Sequence, residues 1–206
     1  MCNLLRKELR LAAHPSLYMF MAMGALVLIP AYPYGVVFFF GGLGVFQTVM
    51  FGRETRDVFY TALLPVRKGD GVRGKILLAV FSQLTQLALS LPFAFLRTLY
   101  MAEANAAYYG FGLMLYGAFN LVFFTRFYRT AYQAGTSFLI ALLPLTLGIA
   151  AMEAAVHFPG MGWLDSVAGP DLVRQFPVLL LGVLVYIASN LLACRLGERN
   201  FSRVDL

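Results

Sequence analysis

GRETRDVFYTALLPVRKGDGVRGK, the run from Gly52 to Lys75, is a long polar interval between apolar stretches, and its reading decides what kind of chain this is. It holds Arg53, Arg56, Arg67, Lys68, Arg73 and Lys75 among Glu54, Asp57 and Asp70, so it cannot lie in hydrocarbon. Its first half predicts a short amphipathic helix. Val58, Phe59, Ala62 and Leu63 share one face, and Arg53, Glu54, Arg56 and Asp57 crowd the first turn. Pro65 stops that helix, Asp70 stands where an N-cap would open the next, and Gly69, Gly71 and Gly74 loosen the backbone between them. A charged helix slung between two apolar runs is either a passive solvated loop or a docking element for a partner outside the membrane.

Outward from this interval the chain is apolar. Asp, Glu, Lys and Arg are missing from Leu11 to the edge of the interval and again from Ile76 to Leu96. Over all 206 residues, 60% are hydrophobic and 13% charged, about half the charge that a water-facing surface carries. With a mean hydropathy of +0.75, the composition points to an all-α integral membrane protein. A spanning helix takes about 20 apolar residues, so the apolar runs predict six spans: Pro15–Pro30, Gly35–Phe51, Ile76–Leu96, Ala106–Thr125, Tyr132–Met152 and Phe176–Cys194. They form one domain, 1–206, with 52–75 as its cytoplasmic loop and 153–175 as its external segment. Residues 2–12 read as an interfacial helix, with Leu4, Leu5, Leu9 and Leu11 on one side and Arg6, Lys7, Glu8 and Arg10 on the other.

The formal net charge of +6 would suggest nucleic acid in a soluble chain, but its placement argues for a membrane instead. Basic residues gather in the N-terminal tail, the 52–75 loop, the Arg126–Arg129 turn and the C-terminal tail, while Arg97 and Arg174 fall on the other side. With six spans the positive-inside rule places both termini in the cytoplasm and the chain in the cell membrane as a multi-pass protein. Cys2 and Cys194 then lie near the reducing face and are expected to be free thiols.

Within the spans, Ser82, Gln86 and Ser90 recur every fourth residue, with Gln83 beside them, and such a stripe must face protein or water. It is either interhelical hydrogen bonding or the lining of a path or subunit interface. Gly41, Gly42 and Gly44 make a thin patch on the second span, and Pro144 is expected to kink the fifth unless neighbours absorb the lost hydrogen bond.

Enzyme chemistry finds little footing. Gly69, Gly74 and Lys75 meet the phosphate-loop spacing G-x-x-x-x-G-K, but Ile76 stands where Ser or Thr must hold magnesium and no buried strand precedes it. His14 and His157 lie at opposite faces, neither H-E-x-x-H nor C-x-x-C occurs, and Glu153 and Asp165 read as solvated loop charges. No catalytic residue, resident cofactor or metal site is expected.

The segment LLPVRKGDGVRGKILLAVF, Leu63 to Phe81, resembles the LPVSRKEIVxxKYL stretch after the coupling helix in permease subunits of small bacterial type 2 ABC transporters of the exporter class. Leu64, Pro65, Val66, Arg67, Lys68, Val72 and Lys75 match, Glu54 and Asp57 take the acidic start of the helix, and Gly69 and Gly71 depart from the pattern. The resemblance implies an ATP-driven exporter in which a separate cytoplasmic ABC ATPase, carrying ATP and Mg, grips Arg53, Glu54, Arg56, Asp57, Val58, Phe59, Ala62, Leu63, Leu64 and Pro65. Arg126 and Arg129 would give a second contact. Two permease copies, identical or related, would enclose a route near Gln47, Ser82, Gln83, Gln86 and Ser90. Small members without an external domain often export amphipathic or antimicrobial peptides, and the resemblance implies a substrate of that kind. The competing expectation is a membrane scaffold or immunity-type protein that binds another cytoplasmic partner.

Overall fold

The computed structural model describes residues 2–29, 35–57, 60, 67–98, 105–130 and 133–204, and every regular element among them is helical. α1 (Cys2–Lys7) runs on as a π-helical turn over Glu8–Ala12. α2 (Pro15–Ala22) tightens into a 3-10 segment, Met23–Leu28. Next come α3 (Gly35–Glu54), α4 (Lys68–Thr98), α5 (Ala106–Thr130) and α6 (Ala134–Val156), then a 3-10 turn at Gly162–Leu164 and α7 (Gly169–Phe201).

The five helices α3 to α7 are long and apolar enough to cross a bilayer, which makes the chain a multi-pass membrane protein by length and composition. α2 is shorter. Its eight α-helical and six 3-10 residues reach roughly 24 Å, against a hydrocarbon thickness of about 30 Å, and Pro30, the expected end of the first span, lies outside the described residues. His14 fixes where α2 begins: its ring Nδ1 accepts the Ser16 N–H at 3.2 Å, and Pro15 follows as the first helical residue. This histidine is a helix cap.

Several helices outrun their apolar stretches. α4 starts at Lys68, so Asp70 lies inside its first turn and is not an N-cap, and Gly69, Gly71 and Gly74 are helical. Tertiary ties override the poor helix propensity of the three glycines: Lys68 Nζ donates to the Val204 carbonyl at 3.0 Å, and Arg73 Nη2 donates to Glu198 Oε2 at 3.3 Å. Likewise Arg126 and Arg129 occupy the last turns of α5, where a loop was expected. α6 continues unbroken through Pro144, and the segment between α6 and α7 narrows to 157–168.

α5 is the axis of the bundle. Tyr116, Phe119, Phe123 and Phe124 on it are fully buried, together with Phe38 of α3 and Leu145 of α6. The Phe46 and Phe138 rings stack at 4.2 Å between α3 and α6. Lipid tails are as apolar as leucine, so helix association here rests on fit and on small residues, and the α5–α7 crossing shows it. A methyl built on Gly110 would fall 2.7 Å from the Val178 carbonyl oxygen, and one on Gly182 would strike the Gly110 backbone itself. The two backbones therefore touch with no side chain between them. α6 and α7 turn most of their remaining surface outward, with Leu143, Leu147, Leu184 and Leu191 exposed.

Candidate functional site

The root of the 52–75 interval is built into the bundle by charge. α3 ends at Glu54, and Arg56 takes a left-handed conformation (φ +54°) with its N–H on the Arg53 carbonyl at 3.1 Å. That turn brings Asp57 back toward α4. Asp57 Oδ2 lies 2.6 Å from Lys75 Nζ, and Oδ1 lies 3.6 Å from Lys7 Nζ. Lys75 also meets Glu8 Oε2 at 3.0 Å, and Lys7 meets Glu8 Oε1 at 3.1 Å. Two ammonium groups and two carboxylates thus form one linked set that joins α1, the α3 corner and α4.

Glu8 is 1% exposed, so it belongs to the inward side of the N-terminal helix and not to the polar side where the leucine pattern put it. Two features make room for it. The π-helical turn starts at Glu8, and Gly74 offers no side chain: a methyl there would lie 3.4 Å from Glu8 Cγ. Burial alone would raise the Asp57 carboxyl, but Lys75 and then Lys7 outweigh it and hold it below the ordinary carboxylate value. Arg53, Glu54 and Arg56 remain exposed around this set, as do Arg126 and Arg129 on α5. Val58, Phe59, Ala62, Leu63, Leu64 and Pro65 lie outside the described residues.

Above the charged base a polar column climbs α4. Ser82 Oγ donates to the Ala79 carbonyl at 2.9 Å. Gln83 and Asn120 exchange two hydrogen bonds between their side-chain amides, both 2.8 Å, and Asn120 Nδ2 also donates to Asn190 Oδ1 at 2.9 Å while the Tyr186 hydroxyl donates to Gln83 Oε1 at 3.0 Å. One turn higher, Gln86 Nε2 donates to the Phe20 carbonyl (3.0 Å) and the Val37 carbonyl (3.1 Å), and its Oε1 takes the Tyr116 hydroxyl. The Phe20 carbonyl sits where α2 changes to 3-10 geometry, so Gln86 satisfies a backbone acceptor that lipid would leave bare. Gly41 leaves the space in which the Tyr116–Gln86 pair sits. Ser90 closes the column on Tyr109 at 2.9 Å.

From Lys75 to Ser90 the column covers roughly 22 Å of α4, most of a bilayer's hydrocarbon depth. Its hydrogen bonds are made inside one copy of the chain. Gln47 stands apart from it, half-buried on α3.

At the other end of the bundle two amides staple the loop before α7. Asn105 Oδ1 accepts the Tyr108 N–H at 3.0 Å and so caps α5, while its Nδ2 donates to the Leu164 carbonyl at 2.6 Å. Gln175 Nε2 donates to the carbonyls of Trp163 and Ser166, both at 2.7 Å. Beside this staple a cavity of about 230 Å³ brings together Glu153, His157, Asp165 and Tyr108. Burial and then the neighbouring Glu153 raise the Asp165 carboxyl, partly offset by His157. Glu153 and Asp165 are therefore neighbours in space, a pairing that their separation in the sequence did not fix. Among the described residues no cluster of His, Cys, Asp and Glu is fit to hold a metal ion, and Cys194 is a free, half-buried thiol. A larger apolar cleft, about 840 Å³, opens between α4, α5 and α7 along Leu84, Leu91, Phe95, Leu113 and Leu179.

No family model, curated protein or solved structure matches this chain. The site is therefore read from its own geometry. The sequence places Asp57, Gln83 and Gln86 among the candidate site residues but not their partners Glu8, Lys7, Lys75, Asn190, Tyr116 and Tyr186. A usable signal existed in Glu8: it is an acid set between Leu5 and Leu9 in a helix whose other charges are all basic.

Proposed function

We propose that the chain is the permease subunit of an ATP-driven exporter, worked by a separate cytoplasmic ATPase that grips the segment between α3 and α4. One observation carries the reading: Asp57, at the root of that segment, is ion-paired at 2.6 Å with Lys75 at the foot of α4. Ion pairs removed from water are costly to desolvate, and a loop that only hangs in solvent needs none. Here a displacement of the segment acts on α4 through the Lys75 ammonium and on α1 through Lys7 and Glu8. The polar column then ties α4 to α2, α3, α5 and α7, so the bundle answers as a whole.

Because the column's polar groups are engaged within one copy, the substrate route in this reading lies between two copies, along outward faces such as those of α6 and α7. Apolar walls of that kind suit amphipathic peptides. Both termini and the basic end of the bundle face the cytoplasm, and the bilayer is the cell membrane. A second reading, a membrane-embedded scaffold or immunity-type protein, draws support from the same satisfied column, since a rigid bundle has no need to open.

The test is reconstitution in nanodiscs with an ABC ATPase encoded beside the chain's own reading frame. Exporter function predicts a stable complex whose ATP hydrolysis rises with the permease present, and loss of both on Leu63→Asp with the unfolding temperature unchanged. An ATPase that neither binds nor responds to the wild-type chain rejects the exporter reading.

A further inference from the structure

We infer that the N-terminal helix is a contact for anionic lipid, with Arg6 and Arg10 holding phosphate-bearing headgroups. The helix lies on the bundle by its inner side: Leu5 and Leu9 pack against Leu17, Met21 and Leu78, and Glu8 is sealed onto Lys75. The side left facing away carries Arg6 and Arg10, both exposed and one helical turn apart.

The carboxylates that would otherwise neutralise this surface are committed elsewhere. Glu8 and Asp57 are paired with Lys7 and Lys75, and neither Arg6 nor Arg10 has an acidic partner within 4 Å among the described residues. Arg53 and Arg56 are exposed on the adjoining end of α3, which the Lys7–Asp57 contact and the His14–Phe51 ring pair (5.1 Å) hold beside the helix. Four arginines thus face outward with Glu54 as the single exposed acid in that stretch.

Depth favours lipid over an acidic protein. The helix joins α2 with only Ala13 and His14 between, and the Tyr18 hydroxyl of α2 donates to the Leu9 carbonyl at 2.7 Å. The helix is therefore fixed at the start of apolar α2, and in the inferred arrangement this start lies at the level of the headgroups. Arginine suits that level: its stem lies along apolar surface while its planar fork takes two phosphate oxygens. Attraction of basic residues to an anionic leaflet adds to this and weakens with salt. The inference is independent of any ATPase partner.

The experiment compares purified protein in a neutral detergent with added phosphatidylglycerol, phosphatidylcholine or inorganic phosphate, reading bound lipids by native mass spectrometry and the unfolding temperature. Wild-type chain should retain phosphatidylglycerol in preference to phosphatidylcholine and unfold at a higher temperature with it. Arg6→Gln with Arg10→Gln should weaken that retention about tenfold or more, while Arg6→Lys with Arg10→Lys keeps most of it. Arg174→Gln, at the opposite end, should change nothing, and the lipid-free unfolding temperature of each variant checks its fold. Equal retention of the two lipids by the wild type would overturn the inference. So would an undiminished preference in the double glutamine variant, an equal response to inorganic phosphate, or binding of an acidic protein with no lipid preference.

Discussion

Lys75→Met is the substitution whose outcome follows most directly from the structure. The ammonium is nearly sealed from solvent and touches Asp57 Oδ2 at 2.6 Å and Glu8 Oε2 at 3.0 Å. Methionine fills the same space without charge, so what changes is the electrostatics of the two carboxylates left behind. Glu8 suffers most, being 1% exposed, with only Lys7 remaining as a cation at 3.1 Å. Removing one partner from a buried ion pair costs about 3–5 kcal/mol, because the other charge stays desolvated. Lys7 is partly exposed and still compensates, which places the expected loss near the lower figure, about 3 kcal/mol. The assay is reversible denaturant unfolding in mixed micelles, followed as a double-mutant cycle with Glu8→Gln. The double variant should recover about 1–2 kcal/mol relative to the sum of the singles, since neutral glutamine has no charge left to strand. A loss below about 1 kcal/mol for Lys75→Met, or simple additivity with Glu8→Gln, would refute the claim that these charges form one buried set.

Acid should loosen the same corner. Asp57 sits below its ordinary value of 3.8, so its contribution is complete above that pH and is lost as pH falls through the lower folded value; Asp57→Asn should flatten this acid limb in unfolding midpoints taken between about pH 6 and pH 2. Arg56→Gly should leave stability unchanged or raise it by about 1 kcal/mol, because glycine takes the left-handed turn freely, whereas Arg56→Val should lower it, both read from the same midpoints. Gln83→Leu takes the partner from Asn120 Oδ1 and from the Tyr186 hydroxyl, while Asn120 Nδ2 keeps Asn190, and should cost about 2 kcal/mol, between the modest worth of single hydrogen bonds in membranes and the penalty for buried unpaired groups. Gly182→Ala should prevent native assembly, seen as aggregation on size exclusion, while Gly135→Ala, where a methyl meets nothing within 4 Å, should be tolerated.

How far these features could be foreseen depended on what each one rests upon. Hydrophobic run length alone locates α3 to α7, because hydrocarbon thickness sets a length that composition reveals. Helix ends were harder to place. Lys68 and Arg73 join α4 through contacts with Val204 and Glu198, far along the chain, and no local propensity announces them. The polar stripe on α4 is visible as spacing, yet its meaning lies with Tyr116 and Asn120 on α5 and Tyr186 and Asn190 on α7, far along the chain from it. The leucine pattern puts Glu8 on the water-facing side, the default for a charged residue in an amphipathic helix; its inward turn depends on the π-helical geometry and the bare flank of Gly74. The neighbourhood of Glu153 and Asp165 depended on how Asn105 and Gln175 fold the intervening loop, and amide side chains carry no such signal in sequence.

The backbone contact between Gly110 and Gly182 restricts how this molecule can change shape. Sliding α7 past α5 by one residue would push a side chain into a peptide plane, so the two helices can travel only together, as a single strut. Any change of shape must then be taken up outside this strut, as at the contacts of α4 with α2 and α3, which are amide hydrogen bonds to backbone carbonyls. In hydrogen exchange the strut should be the last part of the molecule to yield its amides.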